Sequence, residues 1–251
     1  MKIFNKEIEW VVFDKDGTLI DLQSIWIPWL KKISEEIKRR VDLKYEVLED
    51  LKLIFGVMEE TQIDPKGPLA IGSIDEGEIL VAGYLYQHGV SWDMAILIAK
   101  ESVTIANKQQ NDDKIKLVDG VKEVLEILKN EGIKMGVITA DDTDKAILHL
   151  EKADIRSYFK FVIGSDLVKR GKPYPDMAFL AKNQYNLNPN KAAMIGDTNA
   201  DMKMSELASM PVRIGISDSN EGNIHLKNAS HHIRSYNELI SLLGRKEANH
   251  E

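Results

Sequence analysis

From Asp119 onward, short apolar runs alternate with amphipathic stretches, and this alternation constrains the fold more than any other feature of the chain. Val121, Val124, Leu125 and Leu128 recur at helical spacing before Gly132, and Lys134-Met135-Gly136-Val137-Ile138-Thr139 then reads as a short apolar strand. A helix to about Ala153 leads to the strand Phe161-Val162-Ile163-Gly164. Pro175 to Tyr185 reads as a helix, Ala192-Ala193-Met194-Ile195-Gly196 and Val212-Arg213-Ile214-Gly215-Ile216 as strands. A weak strand near His232-Ile233 precedes a helix carrying Leu239, Leu242 and Leu243. Strands alternating with helices predict an α/β fold, a three-layer Rossmann-like core in which a parallel sheet is covered on both faces.

One further strand stands far upstream. Glu9-Trp10-Val11-Val12-Phe13 is β-branched and aromatic, and it stops at Asp14-Lys15-Asp16-Gly17-Thr18. Between it and its partners, Ile25, Trp26, Trp29, Leu30, Ile33 and Ile37 mark an amphipathic helix, and helices are expected over Tyr45 to Met58, Glu76 to His88 and Trp92 to Asn107. Asp64 to Ser73 reads as a loop from its Pro and Gly content, and Trp26, Trp29 and Trp92 are expected in the core of the block. The expected organisation is therefore a core of residues 1–20 and 116–251 with an inserted all-helical domain of residues 21–115, and a frayed polar tail from Arg245 to Glu251.

In such sheets ligands bind beyond the carboxyl ends of the strands, where the strand order reverses. The polar residues at those ends are Asp14 and Asp16, Thr139, and Asp197. Asp14 and Asp16 stand so close that they need a divalent cation or a shared proton, and all-oxygen ligands suit Mg²⁺. One carboxylate can then attack phosphorus while the other moves protons. Thr139 and the backbone N–H groups around Ala140 suit a phosphate oxygen, although a lone Thr there is more often a helix cap. Lys172 lies between Gly171 and two prolines, where its ammonium can be aimed at the dicarboxylate site. Asp197 and Asp201 are one helical turn apart at the start of a helix and can face one point; the helix dipole alone also favours such carboxylates.

Composition narrows the classes. The 251 residues carry 43% hydrophobic content, enough for a core, and a net charge of −7, which gives no general attraction to nucleic acid or anionic lipid. There is no cysteine, so disulfides and thiolate chemistry are excluded. No apolar run approaches the ~18 residues of a bilayer span, and acidic residues precede any apolar run of signal-peptide length, so a cytoplasmic protein is expected. The six histidines form no metal-ligand spacing.

Taken in order, Asp14-x-Asp16-Gly-Thr, Thr139, Lys172 and Gly196-Asp197-x-x-x-Asp201 resemble the haloacid dehalogenase superfamily of phosphatases, in its phosphoglycolate-phosphatase-like branch. The likeness covers residues 8–20 and 116 to about 235, and the insertion resembles that family's helical cap of the first type. The resemblance implies Asp14 as nucleophile, Asp16 as general acid and base, and Thr139 and Ala140 at the phosphoryl group. It implies that Lys172 holds both Asp14 and phosphate, and that Asp14, the Asp16 carbonyl and Asp197 ligate Mg²⁺ with Asp201 in support. The implied substrate is a small phosphorylated metabolite, and the implied assembly a monomer or homodimer. An acid at position 16 speaks against the family's metal-free dehalogenases. Lys15 matches P-type ATPases, but those have Thr in place of Asp16 and need membrane helices. A phosphomutase of the β-phosphoglucomutase type and a non-catalytic binding module are the alternatives; the mutases usually carry a His soon after the first motif, and Asp21-Leu22-Gln23-Ser24 has none. Asp141 and Asp142 are unusual beside a phosphate and are expected either to point away or to meet a cationic part of the substrate.

Overall fold

The structure is a computed structural model that describes residues 1–43, 46–58, 62–108, 115–217 and 225–244. The chain divides into two compact units, Met1–Asp21 with Lys116–Glu251, and Leu22–Ile115.

The first unit is built on a six-stranded sheet of β1 (Trp10–Phe13), β2 (Lys134–Ile138), β3 (Phe159–Ile163), β4 (Ala192–Gly196), β5 (Val212–Ile216) and β6 (His231–Ile233) in the order β6-β5-β4-β1-β2-β3. All neighbours are parallel. Parallel strands are covered on both faces, which explains the unbroken apolar spelling of Trp10–Phe13, buried along its whole length. The chain runs from β1 outward through β2 to β3, then returns to place β4 on the other side of β1. Strand order therefore reverses at β1, and Phe13 lies in register with both Val137 and Ile195. That register sends Asp14, Thr139 and Asp197 out of the same sheet edge.

The second unit holds α1 (Leu22–Arg40), α2 (Val47–Ile54), α3 (Ile74–Gln87) and α4 (Trp92–Lys108). Ile25, Trp26, Trp29, Leu30, Ile33 and Ile37 form the buried stripe of α1. Helix α3 begins with a capping box: Ser73 accepts from the Glu76 backbone and Glu76 answers to the Ser73 backbone. Three expectations are corrected here. The helix expected over Tyr45 to Met58 ends at Ile54; Gly56 follows at φ 81°, and Val57–Met58 forms a short strand paired with Gln62–Ile63, so the insertion is not purely helical. Tyr45 lies outside the described residues. The loop over 64–73 contains one helical turn, Pro68–Ile71, which starts on Pro because its first position needs no N–H donor. Trp26 and Trp29 are buried, but Trp92 is 49% exposed and packs edge-on against Tyr86. It opens α4, where a side chain has no preceding turn to lie on.

The core unit completes its layers with α5 (Val121–Asn130), α6 (Thr143–Lys152), α7 (Asp176–Tyr185), α8 (Asn199–Leu207) and α9 (Tyr236–Gly244). Val121, Val124, Leu125 and Leu128 are all buried along α5, each contributing roughly 1.5–3 kcal/mol. The tail 245–251 lies outside the described residues. Among the described residues no helix is long and apolar enough to cross a membrane.

Candidate active site

The loop after β1 is pinned from both ends. Asp14 N–H donates to the Ile195 carbonyl, and the Lys15 carbonyl accepts from Leu19 and Ile20. Gly17 turns the chain at φ 77°, and a Cβ there would stand 2.1 Å from Asp197 Oδ2. No other residue fits between the turn and that carboxylate. Thr18 then donates from Oγ1 to Asp197 Oδ1 at 2.8 Å, tying the first motif to the end of β4.

Asp14, Asp197 and Asp201 each offer a carboxylate oxygen within 4.8 Å of the others. Lys172 Nζ reaches into this group, 2.6 Å from Asp14 Oδ1 and 2.6 Å from Asp201 Oδ1. Asp201 is fully buried, and its second oxygen accepts from the Thr198 backbone and hydroxyl in the capping box that opens α8. Both of its oxygens are thus engaged by protein. Asp197 keeps Oδ2 toward Gly17, and its other oxygen accepts from Thr18.

The electrostatics follow from crowding. Burial and the Asp201 carboxylate push Asp14 up to about 7 against the pull of Lys172. Burial and the neighbouring Asp14 raise Asp197 well above the carboxylate range. Burial works against the charge on Lys172, yet Asp14 and Asp201 outweigh it and hold its pKa above the usual lysine value. Three carboxylates with one ammonium leave excess negative charge. This donor set, all oxygen and strained by its own repulsion, fits a hard divalent cation.

Thr139 is buried at the end of β2, and its Oγ1 accepts from the Asp141 N–H at 3.2 Å. It does not cap α6. That helix takes its cap from a distant loop, since Asp166 Oδ1 accepts from both the N–H and the hydroxyl of Thr143. The Ala140 carbonyl accepts from Ser165 Oγ at 2.8 Å, which fixes the turn.

Asp16 is placed next to a group that the motifs do not announce. Lys15, with no exposed side-chain surface, extends its Nζ to Asp16 Oδ1 at 2.5 Å, His149 Nδ1 at 3.1 Å and Asp141 Oδ2 at 3.3 Å. Asp141 is therefore turned toward an internal cation, the first of the two alternatives expected for it, rather than toward a cationic part of a substrate. Burial opposes its charge, but Lys15, Lys145 and His149 outweigh that and hold Asp141 below the usual range. Nothing in the spacing of the sequence marks His149 or couples it to Lys15.

Comparison with known proteins decides the family. The haloacid dehalogenase-like hydrolase family matches residues 80–214, more than half of the chain. The chain belongs to the haloacid dehalogenase-like hydrolases. It is 24% identical over 245 residues to the phosphorylated carbohydrates phosphatase of Thermotoga maritima, covering 94% of this chain and 98% of that protein. It is 31% identical over 126 residues to the phosphoglycolate phosphatase of Escherichia coli K12, covering 49% of this chain and 50% of that protein. In structure it matches a predicted phosphoglycolate phosphatase from Haemophilus somnus with a TM-score of 0.71 at 19% identity, over 94% of this chain and 98% of the other, a likeness of fold. The named relatives are phosphatases, in keeping with a phosphoric monoester hydrolase.

Proposed function

We propose that this hydrolase is a Mg²⁺-dependent phosphatase that cleaves small phosphomonoesters through an aspartyl-phosphate on Asp14. The observation that carries the reading is the meeting of Asp14, Asp197 and Asp201 around the Lys172 ammonium at a reversal of strand order. Asp14, the Asp16 carbonyl and Asp197 are assigned to Mg²⁺, with Asp201 holding Lys172 in support. Bound there, the ion would neutralise the carboxylates and the phosphoryl oxygens.

The chain's own residues do the rest. A carboxylate oxygen of Asp14 attacks phosphorus as the bond to the leaving oxygen breaks, and Asp16 delivers a proton to that oxygen. Asp16, now a carboxylate, takes a proton from water as the water attacks the acyl phosphate. The bond between phosphorus and Asp14 breaks, phosphate departs, and both residues return to their starting state. Thr139 and the Ala140 amide hold phosphoryl oxygens, and Lys172 neutralises charge on both nucleophile and phosphate. Substrate choice is assigned to the helical unit as a cap. Its loop Lys66 to Ser73 carries an exposed lysine suited to an anionic substrate tail.

A panel of phosphomonoesters assayed for phosphate release with Mg²⁺ and with EDTA tests the proposal. Release from several esters, abolished by EDTA and independent of any bisphosphate activator, is expected. Strict dependence on a sugar bisphosphate would instead favour a mutase, and no release from any ester would refute the phosphatase.

A further inference from the structure

Lys15 presents an energetic puzzle. Its ammonium is wholly buried, and an ammonium in a protein interior costs several kcal/mol unless it is paired. An apolar side chain would fill the same space at no such cost. The position is also rigid, because its neighbour Asp14 is bonded to β4 and its own carbonyl accepts two backbone N–H groups.

The surroundings show where the charge is directed. Asp141 at the mouth of β2 and His149 on α6 receive two sides of the ammonium, and both have side chains about 1% exposed. Asp141 Oδ1 in turn accepts from the Asp142 N–H, and Lys145 stands 3.9 Å from it. These partners form a closed inner wall. Of the three groups that Lys15 touches, Asp16 alone reaches solvent, with 13% of its side chain exposed.

We propose that Lys15, braced by Asp141 and His149, is the positioning residue for Asp16: it grips Oδ1 so that Oδ2 is the oxygen that exchanges protons with leaving group and water. The inference rests on the phosphatase reading above, and it concerns the aim of the carboxyl group. A lysine in this role acts through Asp16 and touches neither phosphorus nor leaving group. Its brace comes from α6, so the proton-transfer geometry is anchored in the sheet's own covering layer.

Leaving groups distinguish this role from a purely structural one. An alkyl phosphate needs its departing oxygen protonated, whereas p-nitrophenyl phosphate releases a stable anion without help. Lys15→Met should lower kcat/KM for an alkyl ester such as glycerol phosphate by roughly 10- to 100-fold, the penalty of a misplaced catalytic group, and leave that for p-nitrophenyl phosphate nearly unchanged. Because Lys15→Met takes the ammonium away from the Asp141 carboxylate, the double variant Lys15→Met/Asp141→Asn, which removes both charges of that pair, is measured beside it and should show the same selective loss. Thermal melts establish that the variants are folded. An equal or larger fall with the aryl ester, or no fall with the alkyl ester, overturns the assignment. Wild-type protein idle on both esters with Mg²⁺ would overturn the phosphatase reading, and this inference with it.

Discussion

Lys172 and Lys15 are both buried lysines that meet carboxylates near the end of β1, yet they differ in where their partners come from. Lys172 sits between Asp14 and Asp201, two acids that close a strand and open a helix within recognisable motifs. Lys15 sits between Asp16, Asp141 and His149, and its histidine lies 134 residues away inside α6. The first ammonium faces the oxygen proposed to react, and the second faces the wall behind the proposed proton carrier. The contrast teaches that the same chemical pair can serve the chemistry directly or through a neighbour, and that only the contacts tell which.

The strongest way to break the comparison is to remove the partner of each lysine. Asp14→Asn should reduce turnover to background, because it deletes the attacking oxygen at almost constant volume, while melting shows the fold retained. Phosphate release and a thermal melt check both halves. Asp16→Asn should slow release of alkyl leaving groups by roughly 10² to 10⁴, the usual contribution of a positioned acid and base. A near-normal rate would mean that another group carries the protons.

Removing Lys172 itself sharpens the contrast. Lys172→Ala should cost about 10² to 10³ in kcat through lost charge stabilisation. It also leaves Asp14 and Asp201 without their cation, so the variant should melt lower in EDTA and regain part of the loss with Mg²⁺. Differential scanning calorimetry in both buffers measures this.

The pH dependence has a definite sign. Folding raises Asp14 from 3.8 to about 7, so in EDTA its contribution to stability is full below the lower value and is lost as pH rises through the higher one. Metal-free protein should therefore melt lower as pH climbs across that window. Protons and Mg²⁺ compete for the same oxygens, so Mg²⁺ affinity should rise over that same window. Calorimetric titration at the two ends of the window tests it. The smallest effect is expected from Lys66→Ala, which should alter relative rates across esters of different tail charge by a few-fold at most, with the core chemistry untouched. Unaltered ratios across the panel would remove the loop from substrate choice.

Much of the core was legible because its physics is local. Parallel strands must be apolar on both faces, so Trp10–Phe13 and Ala192–Gly196 spell themselves out, and polar residues just beyond them stand at the sheet edge. Asp14, Thr139 and Asp197 could be named that way, Lys172 from its Gly and Pro neighbours and Asp201 from its helical-turn spacing, and the structure brings all but Thr139 into direct contact or within one cluster. The Lys15 hub was illegible for the opposite reason. A lysine in a loop reads as solvated, and its burial depends on which helix the sheet later brings over it. Trp92 failed likewise, since apolar spacing marks a face but not whether the end of that face is covered. Gly56 marked the end of α2 more faithfully than the apolar residues beyond it.

The bond from Thr18 to Asp197 spans 179 residues. A ribosome making this chain exposes Asp14 long before Asp197 and Asp201, the carboxylates that complete its surroundings. On the reading proposed above, the nascent product therefore carries the nucleophile without its activating partners, and hydrolysis would begin only after synthesis has delivered the far strand.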